Sequence, residues 1–337
     1  MSNRTPEDPD ARRRRTEERE RLVAHRGLAT WGEKLVPLGR FREATEKTGR
    51  RLSRVERDEE RSRFLSGSAE KAPIEGPYSR VAVCGGVYNN HFALTALLDD
   101  AARRGAEAVY CLGDLGGFGP NPEKVRPLLE QGEVLTIQGN YEASLSTGHD
   151  DCDCGYTDPR DNHFAEVSYG YTASHASPDF KRWMGTLPKT RRVNVGSREL
   201  LLVHGSPRRI NEFLFQSTTP VAFLEVLLDQ HGCDGFLCTH TGLHWHRQLP
   251  SGRDVVNVGV IGRPANDGNT HVWYSLLEER NDKLNVELLP LEYDHDALAK
   301  EMRTEELPEE FVETVLSGWW TTCLEILPAR ERSLSRF

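Results

Sequence analysis

Apolar positions are sparse and without a regular period over the first 63 residues, and then their pattern changes near Tyr78. Residues 80–84 form a short, mostly apolar run that stops at Gly85-Gly86. Behind it, Ala93, Leu94, Leu97 and Leu98 recur at helical spacing, which predicts a helix over 91–104. Residues 108–112 read as a second strand ending in Gly113-Asp114, 125–129 as a helix, and 134–138 as a third strand ending in Gly139-Asn140. Strands of about five residues alternating with amphipathic helices predict an α/β sheet with helices packed on it. The stretch 149–178 reads as irregular. Further strands are expected at 192–195, 200–203, 236–239, 255–257 and 272–276. Several lack an intervening helix, so antiparallel strands or a second sheet are expected in this half.

The flanking segments differ in kind. Residues 1–63 carry 18 basic and 13 acidic side chains, net +5, whereas the remainder carries 25 and 39, net −14. Helical stretches are expected over 12–25 and 42–63, where Glu and Arg recur at three- and four-residue spacing. Ser66-Gly-Ser and the stretch from Pro73 to Pro77 read as a linker. The organisation expected is a charged extension and linker at 1–77, a catalytic-size domain at 78–290, and a helical extension at 291–337 that docks Trp319 and Trp320 on the body or on a partner. An acidic body repels a nucleic-acid backbone. No apolar run approaches the roughly 20 residues of a membrane helix. Past the basic run Arg12–Arg15, arginines and acidic residues leave no apolar stretch, so a secretory signal is not expected. Seven scattered cysteines without an export signal predict reduced thiols in the cytoplasm.

The residues just past the strands carry the chemistry. Asp114, Asn140, His204 and His240 each come after an apolar run, and loops at the carboxyl ends of strands are where α/β sheets build ligand sites. One carboxylate, one amide oxygen and two imidazoles suit a divalent transition metal: Zn, Mn or Fe.

Taken in order, Gly86-Val-Tyr88-Asn-Asn90, Gly113-Asp114, Gly139-Asn140-Tyr141-Glu142, His204-Gly-Ser-Pro207, Thr239-His240-Thr241-Gly242 and Asn257-Val-Gly259 resemble the motifs of the calcineurin-like metallophosphoesterases, particularly their compact bacterial phosphodiesterase branch. The flanking Ala93-Leu94 and Phe118-Gly-Pro120-Asn-Pro122 match as well. The resemblance covers about residues 79–290. It implies a four-layer α/β/β/α sandwich and hydrolysis of a phosphate ester or another anionic small molecule.

The departures are as informative as the matches. In the family, two metals share the aspartate matched by Asp114. The other ligands of the first metal fall on Gly86, Tyr88 and Gly242, so none is kept. The ligands of the second fall on Asp114, Asn140, His204 and His240, and all are kept. The family's leaving-group histidine is Tyr141 here. One ion is therefore expected, or two if the first site has been rebuilt.

Weaker candidates surround this set. Arg208 and Arg263 could read an anion through a planar, bidentate guanidinium. Tyr88, Cys84, His244 and the Cys152-Asp-Cys154 pair could rebuild the vacated half. The sequence supports three readings: a metal-dependent phosphoester hydrolase, a metal enzyme of changed chemistry with Cys or Tyr ligands, and an inactive scaffold that binds protein partners through its arm or its Trp-rich tail.

Overall fold

The structure is a computed structural model that describes residues 28–31, 34–37, 73–281 and 283–333. It divides into two units, residues 1–71 and 72–337. In the first, β1 (Leu28–Trp31) and β2 (Lys34–Pro37) pair as an antiparallel hairpin. The helices expected over 12–25 and 42–63 and the Ser66-Gly-Ser segment lie outside the described residues.

The second unit opens with β3 (Ile74–Tyr78), β4 (Arg80–Cys84), α1 (His91–Arg103), β5 (Ala108–Cys111), α2 (Val125–Gln131) and β6 (Leu135–Thr136). Three helices come next: α3 (Asn140–Thr147), α4 (Pro159–His175) and α5 (Pro178–Thr186). The second half contains β7 (Arg191–Val195), β8 (Arg198–Leu202), α6 (Val221–His231), β9 (Gly235–Cys238), β10 (His244–Gln248), β11 (Asp254–Val258), β12 (Val272–Arg280) and β13 (Lys283–Leu291). It closes with α7 (His295–Thr304), α8 (Glu309–Ser317) and α9 (Ala329–Ser333).

Two sheets face each other. One has the order β13-β12-β4-β5-β6, the other β10-β11-β9-β8-β7-β3. Alternation along each strand sorts its side chains between two cores. On β4, Val81 and Val83 meet Val193, Leu200, Leu202 and Leu237 between the sheets, whereas Ala82 and Cys84 join Leu94, Leu97 and Phe180 on the helical side. On the other sheet, Leu201 and Phe236 pack outward on Leu224, Leu227 and Leu228 of α6. The result is the four-layer α/β/β/α sandwich.

Three local expectations are corrected. Residues 73–77, read as a linker, lie largely in β3, which pairs in parallel with β7. The Glu75 carboxylate pairs with Arg191 and accepts from the Tyr110 hydroxyl at 2.8 Å, so this edge is tied to both sheets. The stretch 149–178 is irregular only as far as Asp158, which caps α4 by accepting from the Arg160 and Asp161 amides, with Pro159 at its first position. The strand expected over 134–138 shortens to β6, and the Ile137 and Gln138 amides donate to Cys111 and Pro188 carbonyls.

Beyond β13, Leu298, Met302, Phe311 and Val315 bury against Phe118, Phe164 and Val260. Trp320 is seated by hydrogen bonds from its amide to Asn266 Oδ1 at 2.8 Å and from its ring to the Pro264 carbonyl at 2.6 Å. The C-terminal helices thereby reach the same end of the sandwich as the strand-end loops. No described helix is long and apolar enough to cross a membrane.

Candidate metal centre

The carboxyl ends of β4, β5 and β6 in one sheet and of β8, β9 and β11 in the other open toward a common cleft, because each trio runs parallel within its sheet. Asp114 follows β5, Asn140 begins α3 after β6, His204 follows β8 and His240 follows β9. Two of these four, Asp114 at φ 58° and His240 at φ 68°, sit in the left-handed region that non-glycine residues rarely adopt. Such strain persists only where the surroundings impose it. At Asp114 the imposing group is Glu142, whose buried carboxylate accepts from the amides of Asp114 at 2.8 Å, Leu115 at 2.8 Å and Gly139 at 2.7 Å. Gly139 is required by contact as well, since a Cβ there would lie 2.4 Å from Asp114 Oδ1.

The polar atoms of the four side chains converge. His204 Nε2 lies 3.2 Å from Asp114 Oδ2, 3.0 Å from Asn140 Oδ1 and 3.2 Å from His240 Nδ1. Each donor available to these groups is spent outward. His204 Nδ1 donates to the Leu112 carbonyl at 2.6 Å, His240 Nε2 to the Cys154 carbonyl at 3.2 Å, and Asn140 Nδ2 to the Cys152 carbonyl at 2.8 Å. Those outer bonds fix the tautomers and turn four acceptor atoms inward, as outer partners do for metal-ligating histidines. Two imidazole lone pairs facing each other at 3.2 Å repel unless a proton or a cation lies between them.

The electrostatics call for a positive charge at this point, supplied either by a metal or by a proton on His204. Burial, together with His204, pushes His240 down to about 3, so this ring is neutral near pH 7. Burial also opposes charge on His204, but the adjacent Asp114 carboxylate outweighs it and raises the imidazole overall. Asp114 is held below the usual carboxylate range: burial works against this, and the His204 charge wins. Asp114, His204 and His240 form a buried group whose ligand atoms lie within 4.8 Å of one another. The donor chemistry and geometry fit a divalent transition metal.

A family model for the calcineurin-like phosphoesterase superfamily domain matches residues 80–281. The chain belongs to this superfamily. An uncharacterized protein of Methanocaldococcus jannaschii is 24% identical over 251 residues, spanning 71% of this chain and 98% of its own. A metallophosphoesterase structure from Sphaerobacter thermophilus superposes with a TM-score of 0.55 at 22% identity, covering 71% of this chain and 99% of that one. A hypothetical protein from Pyrococcus horikoshii reaches a TM-score of 0.59 at 23% identity, covering 72% and 99%. At these identities the likeness to solved structures is one of fold.

Within this phosphoesterase fold, the other candidates separate sharply. Tyr88, Tyr141 and Arg263 line one small pocket together with Asp114 and His240. The pocket holds about 50 Å³, room for a few waters at the ~10–15 Å³ each requires. The Tyr141 hydroxyl lies 3.0 Å from Ser168 Oγ on α4. Burial raises the phenols of Tyr88 and Tyr141 well above their ordinary range, so both are neutral hydroxyls and neither is a tyrosinate. Ser168 and the Cys323 that closes the pocket were not singled out from sequence; both lie on segments whose polar and apolar residues alternate without a clear stripe.

Of the five remaining candidates, Arg208, His244, Cys84 and Cys152 lie outside this pocket, and Cys154 lines its wall. Arg208 is exposed, pairs with Glu212 and stacks over Phe223, so it does not face the pocket. His244 stacks on Trp273 at 3.8 Å, and burial pushes it down to about 4. It is outside the donor cluster. Cys84 is buried in the helical-side core, as the inward-alternating end of β4 requires. Cys152 and Cys154 are joined in a disulfide and are therefore neither reduced thiols nor a thiolate pair for a metal. Their loop contributes its carbonyls instead, by orienting Asn140 and His240. The other five cysteines are free and buried.

Proposed function

We propose that this chain is a metal-dependent phosphoester hydrolase with one complete metal site, made of Asp114, Asn140, His204 and His240. The observation that carries the reading is the inward convergence of four acceptor atoms whose companion donors are all engaged outward. Membership of the superfamily supports a phosphoester as the class of substrate. A divalent ion held by this set would supply Lewis-acid polarisation of a phosphoryl oxygen.

The chain's own groups account for the rest. Asp114 and Asn140 present oxygens fixed by backbone contacts, with the Tyr141 amide donating to Asp114 Oδ1 at 3.2 Å. The pocket wall of Tyr88, Phe118, Tyr156 and Phe164 excludes bulk water and strengthens every charge interaction inside it. Tyr141 offers a neutral hydroxyl at this wall, positioned by Ser168 to donate a hydrogen bond to a substrate oxygen. A site with Cys ligands finds no support, because Cys84 lies in the core and the Cys152–Cys154 pair is oxidised.

The test is hydrolysis of an aryl phosphomonoester and an aryl phosphodiester by the purified chain supplied in turn with manganese, zinc and iron. The expected result is turnover with at least one metal that falls to background in His204→Ala and in Asn140→Ala. Turnover undiminished by both substitutions, or none with any metal, contradicts the reading and in the second case favours an inactive scaffold.

A further inference from the structure

Beside the converging acceptors lies a buried cation. Arg263, in the loop after β11, is 6% exposed and sits among aromatic rings, its guanidinium carbon 3.5 Å from the Trp320 ring centroid, 5.9 Å from Phe118 and 6.0 Å from Tyr88. Its Nε has no hydrogen-bond partner. The polar groups closest to its charge are the phenols of Tyr88 and Tyr156 and the thiol of Cys323, and burial keeps all three neutral. No carboxylate forms an ion pair with it among the described residues. A buried cation is costly unless an anion joins it, and aromatic faces compensate only in part.

The position of this cation is specific. By the motif resemblance, residues 86, 88 and 242 match the positions that supply the other ligands of the family's first metal, and here they are Gly, Tyr and Gly. A Cβ on Gly86 would lie 2.4 Å from the Tyr88 ring. A Cβ on Gly242 would lie 2.8 Å from the Trp320 ring and 3.2 Å from Arg263 Nη2. Tyr88, Trp320 and the guanidinium therefore occupy the space that ligand side chains would need. Arg263 shares its pocket with Asp114 and His240, two members of the retained set.

We propose that the Arg263 guanidinium takes the place of the first metal ion, so that the site pairs one metal with one fixed organic cation to bind a terminal phosphoryl group. This rests on the metal-site reading above. The planar, permanently charged fork of arginine can bind two phosphoryl oxygens side by side, and its unpaired Nε–H leaves a donor for the second. A pocket of about 50 Å³ is on the scale of a single phosphoryl group and not of a whole ester. A phosphomonoester is therefore the substrate class, ahead of a diester whose two substituents would both need room. The C-terminal segment belongs to the device, since the Trp320 ring lies 3.5 Å from the guanidinium carbon and Phe311, Thr322 and Cys323 line the pocket.

Calorimetric titration of inorganic phosphate into the full-length, metal-loaded chain tests this, with metal content measured on each sample. The expected result is that Arg263→Met weakens phosphate binding at least about a hundredfold while the metal content stays that of the wild type. Arg263→Lys, which keeps the charge but not the fork, should lose about tenfold, and it carries the test if the Met variant does not fold. In His240→Ala the metal should be lost, and the weaker phosphate binding that remains should still disappear on adding Arg263→Met. Phosphate bound equally by wild type and both Arg263 variants overturns the proposal even if His240→Ala loses its metal. Retention of metal by His240→Ala overturns the metal-site reading instead, whatever Arg263 does. Failure of the metal-loaded wild type to bind phosphate at millimolar concentration also overturns the proposal.

Discussion

The two halves of the strand-end cleft solve the problem of holding charge in opposite ways. In one half, Asp114, Asn140, His204 and His240 direct acceptors inward and are held there by outer hydrogen bonds to Leu112, Cys152 and Cys154 carbonyls. On the reading proposed above, that half is built to receive a cation. In the other half, Tyr88, Phe118 and Trp320 surround a cation the chain supplies itself, Arg263. No carboxylate pairs with it among the described residues. On the proposed reading, the difference teaches that a cation fixed in the chain can stand where a metal and its ligands would otherwise be needed.

The largest effect that could break this comparison comes from restoring a ligand in the altered half. Gly242 adopts φ 76°, and its missing Cβ faces Trp320 and Arg263. Gly242→His should cost about 1–3 kcal/mol in backbone strain and about 1–3 kcal/mol in overpacking. At roughly 2–4 °C per kcal/mol, a fall of several to about 20 °C in Tm is expected by calorimetry, with no second metal gained. An unchanged Tm together with a second bound ion would show that the two halves are still equivalent.

A smaller effect sharpens the other half. Glu142 accepts three backbone amides with its two oxygens, and Gln in its place would turn an NH2 toward one of those donors. Glu142→Gln should cost about 1–3 kcal/mol, read as a Tm lowered by several degrees, and should weaken metal retention by loosening the turn that holds Asp114. Full stability with metal lost would instead place Glu142 among the ligands.

The sheets and the four converging residues Asp114, Asn140, His204 and His240 were legible in the sequence for a physical reason. Buried strands such as Ala108–Cys111 and Gly235–Cys238 are short apolar runs, and the converging polar residues stand two to four positions past the strand ends. Helix α4 was hidden because its buried face reads Asp161, Phe164, Ala165, Ser168, Tyr169 and Thr172: the helical spacing is intact, but half its members are polar. Those polar members serve the site, since Thr172 Oγ1 accepts from Gly117 at 3.0 Å and Ser168 Oγ from Phe118 at 2.6 Å. Strand β3 was hidden because Pro73, Gly76 and Pro77 outweigh two apolar residues in a five-residue edge strand. Arg208 and Arg263 were indistinguishable as sequence, each beside a proline and a turn. Only packing separates them, by pairing Arg208 with Glu212 at the surface and enclosing Arg263 beneath Trp320, 57 residues farther along the chain.

The central claim is one metal site and one built-in cation, and metal stoichiometry tests it most directly. Protein purified without chelator and analysed by elemental mass spectrometry should carry about one transition-metal ion per chain, falling to near zero in His240→Ala and unchanged in Tyr88→Phe. Two ions per chain, or a His240→Ala variant that keeps its metal, would contradict the account.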